Sequence, residues 1–211
     1  MAKRNSPGSP GAERFTMTVL EMLDQGTAVR EVNLRTVARR VGCAHTNAYN
    51  YFASLEELLW WSLREALEQM VRGADAGAGQ PTGTADPLLR YIDFALEHPE
   101  WYRLVWLVPL NGPPPPEVLA YLPIPGQMLG EWLGGYLAER GAVPQEADVQ
   151  EGARILHRYI HGELAIRTTG RLSEPAAQFR RSLVNTTARL FQQLFAVPWP
   201  DQTNTEKENE G

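Results

Sequence analysis

Twenty residues, Asn33-Leu-Arg-Thr-Val-Ala-Arg-Arg-Val-Gly-Cys-Ala-His-Thr-Asn-Ala-Tyr-Asn-Tyr-Phe52, constrain the fold of this chain more than any other stretch. Asn33 can cap a helix by accepting from its orphan amides, and Leu34, Val37, Ala38 and Val41 then recur at helical spacing. Gly42 permits a sharp exit, and its distance of four residues from Ala38 suits two helices that cross closely, since neither position carries a large side chain. A second helix is expected from about Ala44 to Asn50. The pattern is that of a helix-turn-helix.

The second helix carries His45, Thr46, Asn47, Tyr49 and Asn50, leaving only Ala44 and Ala48 small and apolar. Such a helix has a thin core face and a broad polar one. In a major groove, Asn pairs with adenine, His and Thr meet base edges, and a Thr methyl meets a thymine methyl. The hydroxyls of Tyr49 and Tyr51 can reach phosphates, which fixes register without reading sequence. The alternative is a small helical hairpin whose polar face is simply wet.

The residues just beyond Phe52 favour the DNA reading. Ser54-Leu-Glu-Glu57 has the Ser-x-x-Glu form of a capping box, placed before Leu58, Leu59, Leu63, Ala66, Leu67 and Met70 at helical period. A long helix is therefore expected from residue 54 to about 73.

Taken together, Tyr49-Asn-Tyr-Phe-Ala-Ser-Leu-Glu-Glu-Leu58, preceded by Val37-Ala38 and Val41-Gly42, resembles the DNA-binding domain of TetR/AcrR-type transcriptional regulators, over about residues 12 to 72. The usual pattern there is Tyr-x-Tyr-Phe-x-Ser-Lys-Glu-x-Leu. The resemblance implies that His45, Thr46, Asn47 and Tyr49 approach bases or the groove floor, while Thr36 and Tyr51 touch the backbone. Leu55 stands where the family commonly has a phosphate-binding lysine, and Thr46 where it often has glycine. An operator sequence borrowed from relatives is therefore unsafe.

Charge follows the same division. Through residue 53 seven basic residues stand against four acidic ones, a net of +3, whereas the remainder holds 13 basic and 21 acidic residues, a net of −8. A basic end on an acidic body orients a protein on a phosphate lattice, a feature hidden by the overall −5.

The 211 residues, 43% of them hydrophobic, suffice for a small head and a larger body. The single cysteine, Cys43, excludes an internal disulfide framework, and its place in the turn reads as a small buried apolar residue rather than a redox sensor. No apolar run approaches the ~20 residues that span a bilayer, and the amino terminus lacks a hydrophobic signal core. A cytoplasmic protein with no membrane partner is expected.

Along the chain, residues 1 to 10 read as a flexible basic arm, 11 to 53 as the helix-turn-helix domain, 54 to 198 as a helical effector-binding and dimerisation domain, and 199 to 211 as a disordered acidic tail. The first helix should run from about Ala12 to Gln25, with Phe15, Val19, Met22 and Leu23 on its packing face and Gly26 as its stop. Ala74 to Thr84 is a Gly-rich break, and Asp86-Pro87 caps the next helix. Trp101 to Val108 is apolar nearly all round, which implies burial. Prolines at 109, 113 to 116, 123 and 125 largely exclude a regular helix there. Three helices close the chain, at about Gly126 to Arg140, Gln145 to Thr169 and Ser173 to Ala196. No strand pattern competes, so the expected fold is all-α.

The phrase Ala95-Leu-Glu-His-Pro-Glu-Trp-Tyr-Arg-Leu104 and the pair His161-Gly162 also resemble stretches of these regulators' carboxy-terminal domains. Apolar positions Val149, Ala153, Leu156, Ile160 and Leu164, then Phe179, Leu183, Leu190 and Leu194, form one stripe on the last two helices, and Ile155, Phe191 and Phe195 mark a second burial surface. In the family these helices form a two-fold dimer, which sets two recognition helices on successive major grooves. Release from an operator would then follow when a small-molecule effector tilts the long helix.

Tyr102, Trp106, Met128, Trp132 and Tyr159 lie on helices expected to surround a pocket for a flat or apolar effector, with ordinary core as the alternative. His157 and His161 share a helix face at a spacing that can bind metal, but no third ligand is near, and packing, dimer contacts or an effector hydrogen bond suit them better. No cofactor is implied. The rival class is a helical metal-dependent enzyme using these histidines with Glu163 or Glu151; no nucleophile elbow, phosphate-cradling glycine loop or His-Glu-x-x-His supports it. A third possibility is a helical adaptor that binds no DNA.

Overall fold

The computed structural model describes residues 8–72, 87–142, 144–171 and 173–199, and among them the regular structure is entirely helical. The expected Gly-rich break at 74 to 84, the Asp86 cap, most of the amino-terminal arm and the acidic tail from residue 200 lie outside the described residues, whereas Trp199, expected in that tail, is buried with its ring 5.3 Å from that of Phe191. Contacts divide the chain into two compact units, Met1–Pro125 and Gly126–Gly211.

The first unit opens with α1 (Pro10–Asp24), which buries Phe15, Val19, Met22 and Leu23 as expected and ends at Gln25 and a left-handed Gly26 with φ +87°. In α2 (Leu34–Val41) the Asn33 side chain accepts from the Thr36 amide at 3.0 Å, the predicted cap. Gly42 closes it at φ +85°, and Cys43 N–H returns to the Ala38 carbonyl at 2.9 Å. A Cβ on Gly42 would meet nothing within 4 Å. The glycine therefore serves the left-handed turn, not a close helix crossing.

The expected second helix is instead a 3₁₀ segment, His45–Asn50. Its start has no side-chain cap, and three of its six residues, Thr46, Asn47 and Asn50, are types that compete with the backbone for hydrogen bonds, which works against a regular α-helix. Cys43 in the preceding turn is half-exposed rather than buried.

Helix α3 (Leu55–Arg72) starts from the predicted box: Glu57 N–H donates to Ser54 Oγ at 3.1 Å. The return contact differs, because the Glu57 carboxylate accepts from the Ala53 amide one residue earlier. Helix α4 (Pro87–Glu97) is followed by α5 (Pro99–Tyr102), which widens into a π-helical turn, Arg103–Leu107. The widening turns one edge outward. Trp106 and Leu107 are 37% and 36% exposed, so the all-round apolar pattern does not mean full burial.

The proline-rich stretch does contain a helix, α6 (Pro116–Tyr121). Its prolines precede it or occupy its first position, where no amide is needed and φ is already helical. The Arg64 guanidinium of α3 lies 5.4 Å from the ring centres of both Trp61 and Tyr121, which holds α6 against α3.

In the second unit, α7 (Ile124–Glu139), α8 (Glu146–Thr168) and α9 (Ala176–Phe195) agree with the expected spans, α7 carrying Pro125 in its first turn. The stripe on α8 is buried as read, whereas α9 buries Phe179, Leu183, Thr187 and Phe191. Leu194 is 38% exposed, because the i, i+4 row selected by the packing passes through Thr187 rather than Leu190.

Candidate nucleic-acid interface

The polar face of the 3₁₀ segment depends on what its other face buries. Ala48 and Phe52 are fully buried, and Phe52 packs edge-on against Phe15 of α1, with ring centres 6.1 Å apart. With that side committed inward, His45, Thr46, Tyr49 and Asn50 are exposed and Asn47 is half-buried. Tyr49 is 49% exposed, a large aromatic side chain open to solvent over about half of its surface. Asn50 Nδ2 donates to Asn47 Oδ1 at 2.7 Å.

The two residues expected to meet the DNA backbone have different settings. Thr36 is half-buried in the first turn of α2, with its amide committed to Asn33. Tyr51 leans its ring on Phe15 at 5.5 Å, and its hydroxyl end passes over Gly11, where a Cβ would stand 2.5 Å from Oη. Leu55, in the lysine position of the family pattern, is half-buried at the start of α3. Arg14 donates to the Val41 carbonyl at 3.1 Å and Arg40 donates to Gln25, so both help tie α1 to the end of α2. Arg30, Arg35 and Arg39 are exposed.

Residues 88–197, just over half of the chain, match the family described as tetracyclin repressor-like, C-terminal domain. The chain belongs to the TetR family. Its members are transcriptional regulators that bind DNA. A TetR-family transcriptional regulator from Streptomyces coelicolor has a similar structure, with TM-score 0.62, 18% identity and coverage of 94% of each chain. A protein of unknown function from Rhodococcus sp. RHA1 gives TM-score 0.61 and 16% identity over 86% of this chain and 95% of that one. A TetR transcriptional regulator from Rhodococcus sp. RHA1 gives TM-score 0.50 and 19% identity over 83% and 94%. These likenesses concern the fold. No curated protein sequence matches. Among the described residues no helix is long and apolar enough to cross a membrane.

The residues expected to line an effector pocket in this TetR-family chain fall in both units. In the first, Tyr102 is fully buried and its ring lies 6.1 Å from that of Tyr91, which also meets Trp106 edge-on at 6.1 Å. Burial pushes the Tyr102 hydroxyl up to about 12 and drives that of Tyr91 far above its usual range, with Tyr102 adding to the latter shift. Both remain neutral phenols near pH 7. Tyr91 was not a candidate by sequence, because it reads as one more apolar position of α4.

In the second unit Met128 and Trp132 are half-buried one turn apart on α7, with Trp132 stacked on Tyr136 at 5.4 Å. His157 and His161 stack at 6.0 Å on α8. Burial lowers the pKa of both, and for His157 the neighbouring His161 and Arg158 add to it. Tyr159, two residues beyond His157, sits on the opposite side of the helix from the pair. The two histidines and Tyr159 therefore cannot serve one face. Among the described residues no group of three His, Cys, Asp or Glu could hold a metal ion. A groove of about 430 Å³ opens between the last turns of α7 and α9 and the first turns of α8, walled by Leu137, Gly152, Ile155 and Phe195 with Asp148 and Glu151 beside them. Its lining includes none of the sequence-expected effector residues.

Proposed function

We propose that this TetR-family chain is a dimeric, sequence-specific DNA-binding repressor, released from its operator by a small apolar or aromatic effector. One observation carries the DNA-reading part: a short segment buries Ala48 and Phe52 and thereby leaves His45, Thr46 and Tyr49 exposed and Asn47 half-exposed. Those side chains supply donors, acceptors and a methyl, the chemistry of base-edge readout. Thr36 and Tyr51 flank this face and serve as backbone contacts. Residues 11 to 53 act as the reading head and 54 to 198 as the effector and dimerisation body.

Ile155 and Ile166 on α8 and Leu194 on α9 are 37%, 52% and 38% exposed, which supports the last two long helices as the dimer surface. Among the effector candidates, Tyr102 and Trp106 both meet the ring of Tyr91, a buried aromatic setting with a partly open indole that suits a flat ligand. Met128, Trp132, His157, Tyr159 and His161 are the candidates in the second unit. The effector releases DNA by binding the non-reading state more tightly than the reading one.

The test is binding of the full chain to random-core duplex pools and to its own upstream DNA across a salt series. A selected motif, with log affinity falling linearly as log salt rises, supports the reading. Equal competition by unrelated DNA defeats it. Asn47→Ala and Tyr49→Ala should weaken the selected motif while the oligomeric state by light scattering stays unchanged.

A further inference from the structure

Asn47 and Asn50 stand one 3₁₀ turn apart, and the three-residue period brings their side chains into line. The hydrogen bond from Asn50 Nδ2 to Asn47 Oδ1, at 2.7 Å, engages the Asn47 amide at its oxygen. A carboxamide has two acceptor sites on oxygen and two donors on nitrogen. The contact uses one acceptor site of Asn47 and leaves one acceptor and both donors. That remainder complements the edge of adenine, which offers N6–H₂ as donor and N7 as acceptor.

An unrestrained asparagine can rotate its amide end for end and loses that freedom when it pairs with a base. One held by a neighbour is already ordered, so less of the pairing free energy is lost on binding. Asn50 is exposed and nothing else among the described residues bonds its side chain, so the contact with Asn47 is its one polar engagement.

The geometry points to Asn50 as a positioning residue for DNA reading: it holds the Asn47 carboxamide in one orientation so that Asn47 discriminates for adenine. This rests on the DNA-reading function proposed above and goes beyond it by assigning a role to a residue that is not itself the reader. In this role Asn50 acts through Asn47 and not through phosphate.

The experiment takes full-length wild type, Asn47→Ala, Asn50→Ala and the double variant, each checked by circular dichroism melting, through selection from a random-core duplex pool at two salt concentrations. Wild type should enrich a motif containing an adenine that Asn47→Ala no longer prefers. Asn50→Ala should cut the preference at that same position by about fivefold or more, leaving other positions and the salt slope alone. The double variant should be no worse there than Asn47→Ala alone, since the second change then has nothing to act through. The inference is overturned if Asn50→Ala leaves the preference intact, if its effect adds to that of Asn47→Ala, or if it weakens all sequences alike with a shallower salt slope. A wild type that enriches no motif at all overturns the DNA-reading function itself, and this inference with it.

Discussion

Trp101 donates its indole N–H to the main-chain carbonyl of Leu20 at 2.9 Å, and three residues earlier His98 Nδ1 lies 2.8 Å from the carboxylate of Asp24. Two contacts from one turn of chain thus land on one turn of α1, since Leu20 and Asp24 are four apart. The His98 ring also stacks on Trp101 at 4.3 Å, so each contact orders the other. Helix α1 carries Phe15, which supports Phe52 beside the 3₁₀ segment, and α5 carries Tyr102. The two aromatic clusters of the first unit are therefore joined through α1.

Trp101→Phe removes the donor together with the five-membered ring of the indole. Both are buried, so the change should cost about 2 to 3 kcal/mol of stability, roughly 1 of it from the hydrogen bond and the rest from the cavity, read by chemical denaturation. His98→Ala should cost less through charge, because the pair with Asp24 is about one-third exposed and screened by water. If the two contacts act as one clamp, the double variant will lose less than the sum of the single losses.

The ends of α2 and the start of α3 were legible in the sequence because they are marked by side chains with local duties: Asn33 caps α2, Ser54 and Glu57 open α3, and Gly42 takes a backbone angle that few residues tolerate. Those signals act over three or four residues and need no tertiary context. The 3₁₀ geometry of His45–Asn50 and the π turn at Arg103–Leu107 were not legible, since the periods of 3₁₀, α and π helices cannot be separated over so few residues. On α9 the core register turns on Thr187, whose hydroxyl donates to the Leu183 carbonyl at 2.8 Å and so can be fully buried. A count of apolar residues passes over it. Asn50 was visible as a polar residue, but its engagement with Asn47 depends on the 3₁₀ period.

Gly152 supplies a test of how α8 and α9 meet. A Cβ there would stand 2.1 Å from Cζ of Phe195, so an alanine must displace that ring. Gly152→Ala should destabilise the chain by about 1 to 3 kcal/mol through overpacking. Gly134 on α7 has nothing within 4 Å of its Cβ position, and Gly134→Ala should stabilise by roughly 0.5 to 1 kcal/mol through helix propensity. Opposite signs in thermal melts of the two variants are the expected result.

His157 and His161 make stability depend on pH in a definite direction. Burial holds both folded-state pKa values below the ordinary 6.5, so on acidification the unfolded chain takes up protons first. Their contribution is complete above about pH 6.5 and declines as pH falls below it. Melting temperatures measured from about pH 8 to 5.5 should be level at first and then drop, and His157→Gln should flatten the drop. An equal slope in the variant would remove His157 from the account.

The order of tolerance at Gly42 separates two explanations of that glycine. If the residue were needed for a close crossing, damage would grow with side-chain size, and Gly42→Asn would be worse than Gly42→Ala. The space beside it is open, while φ is +85°, a region that Asn enters more readily than other non-glycine residues. Backbone strain is then the only cost, about 1 to 2 kcal/mol for Gly42→Ala and less for Gly42→Asn. Chemical denaturation of the three proteins should rank them Gly, Asn, Ala. Because the turn aims the segment after it, selected-motif affinity should fall in the same order without any contacting side chain having changed.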